Sequence, residues 1–386
     1  MPPLMTRALL LVLLSTGSRG IVLRPTSPPR GWNSFEGPGC DGCGHDNTSS
    51  ILRLAELFSG SLKGPGSGWK YIEMDGGWQT NNNNFSDYLF DGNGRMVADP
   101  IRFPGGLAPL AAKLKATGLE LGGWYIRGVE VTQLDKPVLG AEQYKLGDLV
   151  TSAALHGHKN GSCPWSPNWL GVNMSHPAAQ IYYDGVASLL VDTYGLGMIK
   201  MDCSWGSGWL HADEVAAMSR ALQKTKGEVV FSLSPGGGCS VQEGRWAATG
   251  DDSAASADKN GKWMDGPGPG AASAGASMYR ITTDFHGGRV LGQLEAALPF
   301  VNASLAGLNN SYIDLDMLPT LNRQVRPTRP PFFSCVQWAS SQCAWGCCLL
   351  FTARAMRGCT ARKRPCSRSG ASCARPSSSP ATCRRR

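Results

Sequence analysis

The sequence predicts an α/β protein folded as a (β/α)8 barrel, a TIM barrel that is incomplete at its C-terminal end. Short β-prone runs alternate with amphipathic stretches from Pro28 to Asn322, seven such runs occur in about 295 residues, and aspartates lie at or near the ends of several of them. Strands alternating with helices imply a parallel sheet with right-handed crossovers. Seven units over that length suit a barrel better than an open doubly wound sheet, whose G-x-G-x-x-G signature follows no predicted first strand.

Taken in order, Gly31–Phe35 is the first strand and Thr48–Leu62 the first helix. The second strand, Lys70–Asp75, is followed by a helix over Leu107–Thr117, and the third, Leu119–Tyr125, by a helix over Ala178–Tyr194. Gly197–Asp202 and the helix Ala212–Thr225 form the fourth unit, and Val229–Ser234 the fifth strand. A Gly/Ala/Ser-rich stretch holding Asp251, Asp252 and Asp258 reads as solvated loop before the sixth strand, Met278–Asp284. The helix Val290–Leu305 and a seventh strand, Tyr312–Asp316, complete the series. Each helical segment places apolar residues three and four apart, the spacing of one buried face.

Composition divides the chain. Residues 326–386 hold 12 of the 37 Lys and Arg, eight of the 13 Cys and no acidic residue, so residues 1–325 carry 25 basic groups against 29 acidic ones, a net of −4. The overall charge of +8 therefore argues for no polyanionic partner, and nucleic-acid binding is not expected. Rich in Arg, Ser, Pro and Cys without apolar periodicity, the tail cannot bury enough surface to offset its ordering entropy. It reads as disordered or mis-framed, with a true basic extension as the alternative. Residues 1–20 combine Arg7, the apolar run Ala8–Leu14 and small residues to Gly20. That is a signal-peptide pattern, too short to span a bilayer, and it predicts a secreted, secretory-pathway or vacuolar protein with no membrane attachment after cleavage. Six N-glycosylation sequons, at Asn47, Asn84, Asn160, Asn173, Asn302 and Asn309, agree with that route. In an oxidising compartment Cys40 and Cys43 read as disulfide participants rather than zinc ligands. His156, His158, His211 and His286 lack metal-ligand spacing and read as surface or outer-layer groups, so neither a metal nor a cofactor is expected.

In a barrel the chemistry lies at the C-terminal ends of the strands, where Asp75, Asp202, Asp284, Asp314 and Asp316 fall. Lys200 and Asp202, two apart on one strand, face the same way, and an ammonium beside a carboxylate favours its charged form, as a nucleophile requires. Arg280 and Asp284 share a face on another strand, where a carboxyl near a second one keeps its proton as a general acid. One charged and one protonated carboxyl facing each other are the requirement of glycoside hydrolysis. Trp32, Phe35, Trp78, Trp124, Tyr125, Trp165 and Trp205 fall at or beyond strand ends, where aromatic faces can pack on sugar C–H faces.

Gly31-Trp-Asn-Ser-Phe35, Tyr71-Ile-Glu-Met-Asp-Gly-Gly-Trp78, Ile199-Lys-Met-Asp-Cys203, Phe231-Ser-Leu-Ser-Pro-Gly236, Tyr279-Arg-Ile-Thr-Thr-Asp284 and Asp314-Leu-Asp-Met-Leu-Pro319 together resemble, in order, the motifs of glycoside hydrolase family 27. The resemblance is to its melibiase-like α-galactosidase and β-L-arabinopyranosidase branch and covers about residues 28–322. It implies a retaining exo-glycosidase with a barrel over residues 28–325; the family's C-terminal β-sandwich is expected to be absent here. By motif, Asp202 is the nucleophile and Asp284 the acid/base. Asp75, Lys200 and Arg280 hold sugar hydroxyls, with Trp124, Ser234, Asp316, Trp32 and Phe35 also lining the substrate. A carbohydrate substrate is the implied partner, and the oligomeric state is open, a homodimer included. Cys203 either pairs with Cys163 or is a free buried thiol. Two departures bear on the sugar: Gly76 stands where typical α-galactosidases carry a second aspartate, and Ser234 where animal-type enzymes carry Glu. A catalytically inactive, carbohydrate-binding homologue is the alternative function.

Overall fold

The computed structural model describes residues 21–35, 46–60, 68–81, 87–150, 161–163, 165–206, 209–234, 274–282, 290–302, 304 and 306–317. The predicted signal peptide, Cys40 and Cys43, Asp251, Asp252 and Asp258, His156, His158 and His286, the acid/base candidate Asp284 and the whole tail lie outside these residues.

Seven parallel strands form one curled sheet, a partial (β/α)8 barrel: β1 (Arg30–Asn33), β2 (Trp69–Met74), β3 (Glu120–Ile126), β4 (Met198–Asp202), β5 (Glu228–Leu233), β6 (Met278–Arg280) and β7 (Tyr312–Asp314). Each pairs with its neighbour in chain order, from β1 at one edge to β7 at the other. No eighth barrel strand occurs among the described residues. A two-residue strand that the sequence did not suggest, Ile21–Val22, runs parallel to the lower part of β5. Ser277 ties it in, its hydroxyl donating to the Leu23 carbonyl at 2.7 Å and accepting from the Phe231 amide at 3.0 Å.

Among the described residues, five helices of nine or more residues pack outside the strands: α1 (Thr48–Gly60), α2 (Ala108–Ala116), α3 (Ala179–Ala187), α4 (Ala212–Leu222) and α5 (Val290–Asn302). The side chain of Asn47 starts α1 by accepting from the Ser49 and Ser50 amides, as an N-cap does. The buried positions Ile51, Leu54, Ala55 and Phe58 then follow at helical spacing. Pro109 opens α2, a position where a missing N–H costs nothing, and Gly118 at φ 82° releases the chain into β3. A single π-helical stretch, Ser188–Thr193, continues α3 toward β4. The observed helices start within a residue of the predicted bounds and end up to seven residues earlier.

Strand alternation sorts side chains into two sets. Outward residues, among them Ile72, Met74, Leu121, Ile199, Met201, Phe231, Leu233 and Tyr279, form the main core with the helices. Inward residues begin with a small apolar plug of Tyr71, Met198 and Val230, flanked by Leu23 and Met278. Further along the same strands the alternation turns Glu73, Lys200, Ser232 and Arg280 inward, and beyond them Asp75, Asp202 and Ser234. The barrel thus changes from apolar at its base to charged toward the C-terminal ends.

The stretch between β3 and α3 was read as connection only. It carries a small antiparallel pair, Val129–Glu130 with Trp169–Leu170, and a hairpin, Pro137–Val138 with Ala141–Lys145. Neither shows a periodic apolar pattern in sequence; the first pair follows β3 directly, and the turn of the hairpin, Leu139–Gly140, lies against α3.

Candidate functional site

The end of β4 supplies the centre of the site. Both oxygens of Asp202 are held: the Trp124 indole Nε1 donates to Oδ2 at 2.9 Å and the Cys203 amide to Oδ1 at 2.7 Å. This fixes the orientation of the carboxylate while leaving each oxygen lone pairs. The chain turns sharply here, Cys203 taking φ 55°, a left-handed conformation that costs a non-glycine residue about 1–2 kcal/mol. Two devices hold it. Cys203 is disulfide-bonded to Cys163, 40 residues earlier, so the paired alternative is the one observed. Arg127 donates its Nε to the Cys203 carbonyl at 2.8 Å and its amide to the Asp202 carbonyl at 3.1 Å.

Arg127 itself is fully buried and paired at 2.5 Å with Glu214 from the first turn of α4. The second oxygen of Glu214 accepts the Tyr183 hydroxyl at 2.5 Å. A closed disulfide across 40 residues restricts the unfolded chain by about 4 kcal/mol on the entropic model. The Cys163→Ser/Cys203→Ser variant is accordingly expected to lose 2–4 kcal/mol of stability by urea denaturation, whereas reductant is expected to leave the variant unchanged. An unaltered midpoint would show that the covalent bond constrains nothing.

Beside Asp202 the inward groups of four strands meet. Lys200 Nζ contacts Asp75 Oδ2 at 2.6 Å with both side chains buried, and the Asn33 side chain donates to the same oxygen at 2.8 Å. The Ser34 hydroxyl accepts from the Asp75 amide, and Asp75 Oδ1 accepts from the Gly76 amide. Burial works against the Asp75 charge, but the Lys200 ammonium and these donors outweigh it and hold the carboxyl below its ordinary range. Burial likewise works against the Lys200 charge, and Asp75, Glu73 and Asp202 overcome it, so Lys200 is carried upward and stays cationic. The sequence led us to expect Lys200 against Asp202; its direct ion pair is with Asp75. Only the fold could show this, because the two residues lie on β4 and β2, which are separated by β3 in the sheet.

Arg280 pairs with Asp316 at 3.1 Å, both buried, and Asp316, at φ 76°, donates its amide to Asp314 Oδ1. Burial, then the neighbouring Asp316, pushes the Asp314 carboxyl up. Ser234 follows β5 with its hydroxyl buried and, among the described residues, without a hydrogen-bond partner. Phe35 is half-buried beyond β1. Trp165 is 41% exposed and lies 6.5 Å, ring centre to ring centre, from the buried Trp124.

Trp32 corrects the expectation. It stands opposite Ile72 in register and belongs to the main core outside the sheet, while the next residue, Asn33, turns inward to Asp75. Asp75, Trp124, Lys200, Ser234, Arg280, Asp316 and Asp202 are brought to the interior or to strand ends. Asp284 lies outside the described residues, so its separation from Asp202 is not part of this geometry. Sequence reasoning missed Asn33, Glu73 and Arg127. Glu73 had a signal, since it is two residues before Asp75 on the same strand; Arg127, just beyond the third run, had none. Among the described residues no group of three or more His, Cys, Asp or Glu is arranged to hold a metal ion.

No family model matches the chain. Probable alpha-galactosidase B of Neosartorya fischeri is 31% identical over 122 residues, 31% of this chain and 25% of that protein. The alpha-N-acetylgalactosaminidase of Gallus gallus is 24% identical over 219 residues, 54% of this chain and 41% of that protein. The chain therefore spans between a quarter and two-fifths of the length of these relatives. The crystal structure of a GH27 β-L-arabinopyranosidase from Geobacillus stearothermophilus superposes with a TM-score of 0.61 at 25% identity, covering 77% of this chain and 62% of that one. A variant of that enzyme has been solved with arabinose bound. By sequence and by structure, the chain is a homologue of the glycoside hydrolases of family 27.

Proposed function

We propose that the protein is a retaining exo-glycosidase that removes terminal β-L-arabinopyranosyl or α-D-galactosyl residues by double displacement. The observation that carries the reading is Asp202, held by two N–H donors at a strand end beside the buried Asp75–Lys200 pair. Asp202 attacks the anomeric carbon as the glycosidic bond breaks, and Asp284 gives its proton to the departing oxygen. In the second step Asp284 takes a proton from water, the water oxygen bonds to the anomeric carbon and the Asp202 carboxylate leaves. Asp75, Lys200, Arg280 and Ser234 position the sugar through its hydroxyls.

The sugar follows from what β2 and β5 offer. With Gly76 and Ser234 where bulkier acidic groups would grip additional hydroxyls, the site has less to offer an exocyclic hydroxymethyl group and suits a pentopyranose. Aryl β-L-arabinopyranoside is expected to be hydrolysed with kcat/KM equal to or above that for aryl α-D-galactopyranoside, the first-formed sugar retaining its anomeric configuration by NMR. Folded protein that turns over neither glycoside, or a product of inverted configuration, would contradict the reading.

A further inference from the structure

Glu73 is a buried carboxyl that this mechanism does not use. It lies on β2 two residues before Asp75, on the same inward face, and its Oε1 is sealed from solvent and, among the described residues, has no hydrogen-bond partner. Gly122 on β3 makes the room: a Cβ there would come within 3.2 Å of both Glu73 Cα and Cβ. The charged and titratable groups around it can be named strand by strand. Asp75 is on its own strand, Lys200 and Asp202 are on β4, Arg280 is on β6, and Asp314 and Asp316 are on or just beyond β7. The β1, β3 and β5 strands turn only neutral groups inward here, Asn33, Trp124 and Ser232. Among these, Lys200 is the cation whose charge acts on Glu73, and it is already committed to Asp75 at 2.6 Å.

We infer that Glu73 is a positioning residue of the site, a neutral carboxylic acid beneath Lys200 that, on losing its proton, competes with Asp75 for the ammonium and loosens the grip on the sugar. The Asn33 side chain donates to Glu73, but with Oε1 buried and unpaired among the described residues that one donor does not offset the desolvation cost of a carboxylate, which fits the neutral form. Burial pushes the Glu73 carboxyl up to about 7, against the pull of Lys200 and the Asn33 hydrogen bond and with Asp75 and Asp314 adding to the rise. The inference rests on the assignment of Asp75 and Lys200 as sugar-holding groups.

Two readouts separate the inference from that assignment. The ordinary glutamate value is 4.5, so between pH 4.5 and about 7 the unfolded chain ionises while the folded protein keeps its proton. The folded state then binds more protons, and stability falls as pH rises through that window before levelling off. Glu73→Gln lacks this loss, so its Tm advantage over the wild type is expected to grow from pH 4.5 to 7 and then stay constant. In kinetics, the wild-type KM for the better aryl glycoside is expected to rise several-fold between pH 6 and 8.5 with kcat less affected, and Glu73→Gln to show no such rise. If neither glycoside is turned over, the function fails but the inference is still read, from the pH dependence of the Kd for L-arabinose and galactose. A Tm difference independent of pH, a variant that keeps the wild-type KM profile, or sugar binding undetectable at every pH would each overturn it.

Discussion

Asp202→Asn is expected to reduce kcat/KM on aryl β-L-arabinopyranoside and α-D-galactopyranoside by roughly 10⁴-fold or more, with stability within about 1 kcal/mol of wild type. The two effects separate because of what holds the side chain. An amide retains the shape of the carboxylate and can still accept from the Cys203 N–H through its oxygen, but it cannot displace a leaving group from the anomeric carbon. Its NH2 group would face either the Trp124 indole N–H or the Cys203 amide, losing one of the two present hydrogen bonds. That is a cost on the order of 1 kcal/mol, small beside the catalytic loss. Residual activity within tenfold of wild type would remove Asp202 from the centre of the chemistry.

The second large effect concerns stability. Arg127 reaches four partners: the Asp202 carbonyl through its amide, the Cys203 and Gly161 carbonyls, and Glu214. Removing the guanidinium leaves the Glu214 carboxylate in the interior with only the Tyr183 hydroxyl, and breaking a buried pair from one side costs about 3–5 kcal/mol. Arg127→Met is therefore expected to lose that much by urea denaturation. The cause is the stranded charge rather than the missing attraction, so Arg127→Met/Glu214→Leu is expected to recover part of the loss. Both variants also free the turn that carries Asp202, so kcat is expected to remain depressed in the double variant even where stability returns. A double variant no more stable than Arg127→Met would show that the stranded carboxylate is not the main cause of the loss.

Most of the barrel was legible because its strands carry two kinds of information at once. In β4, Met198-Ile-Lys-Met-Asp202, the residue types give the strand, and the period of two puts Lys200 and Asp202 on one face; that much was correct. The partner of Lys200 was not legible, since it depends on how β2, β3 and β4 curl around a common interior. Trp32 failed for a related reason: near a strand end, an aromatic residue suits a sugar site or a core equally well, and only the inward turn of Asn33 decides the parity. Glu73 was quoted within a motif without a role of its own, although the period of two that groups Lys200 with Asp202 groups it with Asp75 on the inward face. Arg127 and the small strands after β3 had no periodicity to announce them. The Ile21–Val22 strand, only two residues long and next to the predicted signal peptide, was equally silent.

The central claim is that Asp202 forms a covalent bond to the sugar, and trapping that bond tests it most directly. The protein is incubated with a fluorinated glycosyl fluoride of the arabinopyranosyl or galactosyl series, which forms the glycosyl-enzyme quickly and releases it slowly. The intact mass is expected to rise by one fluoroglycosyl group, and peptide mass spectrometry to place it on Asp202 in the Ile199-Lys-Met-Asp-Cys203 segment. An adduct on another carboxylate, or turnover of the aryl glycosides with no adduct, would contradict the account.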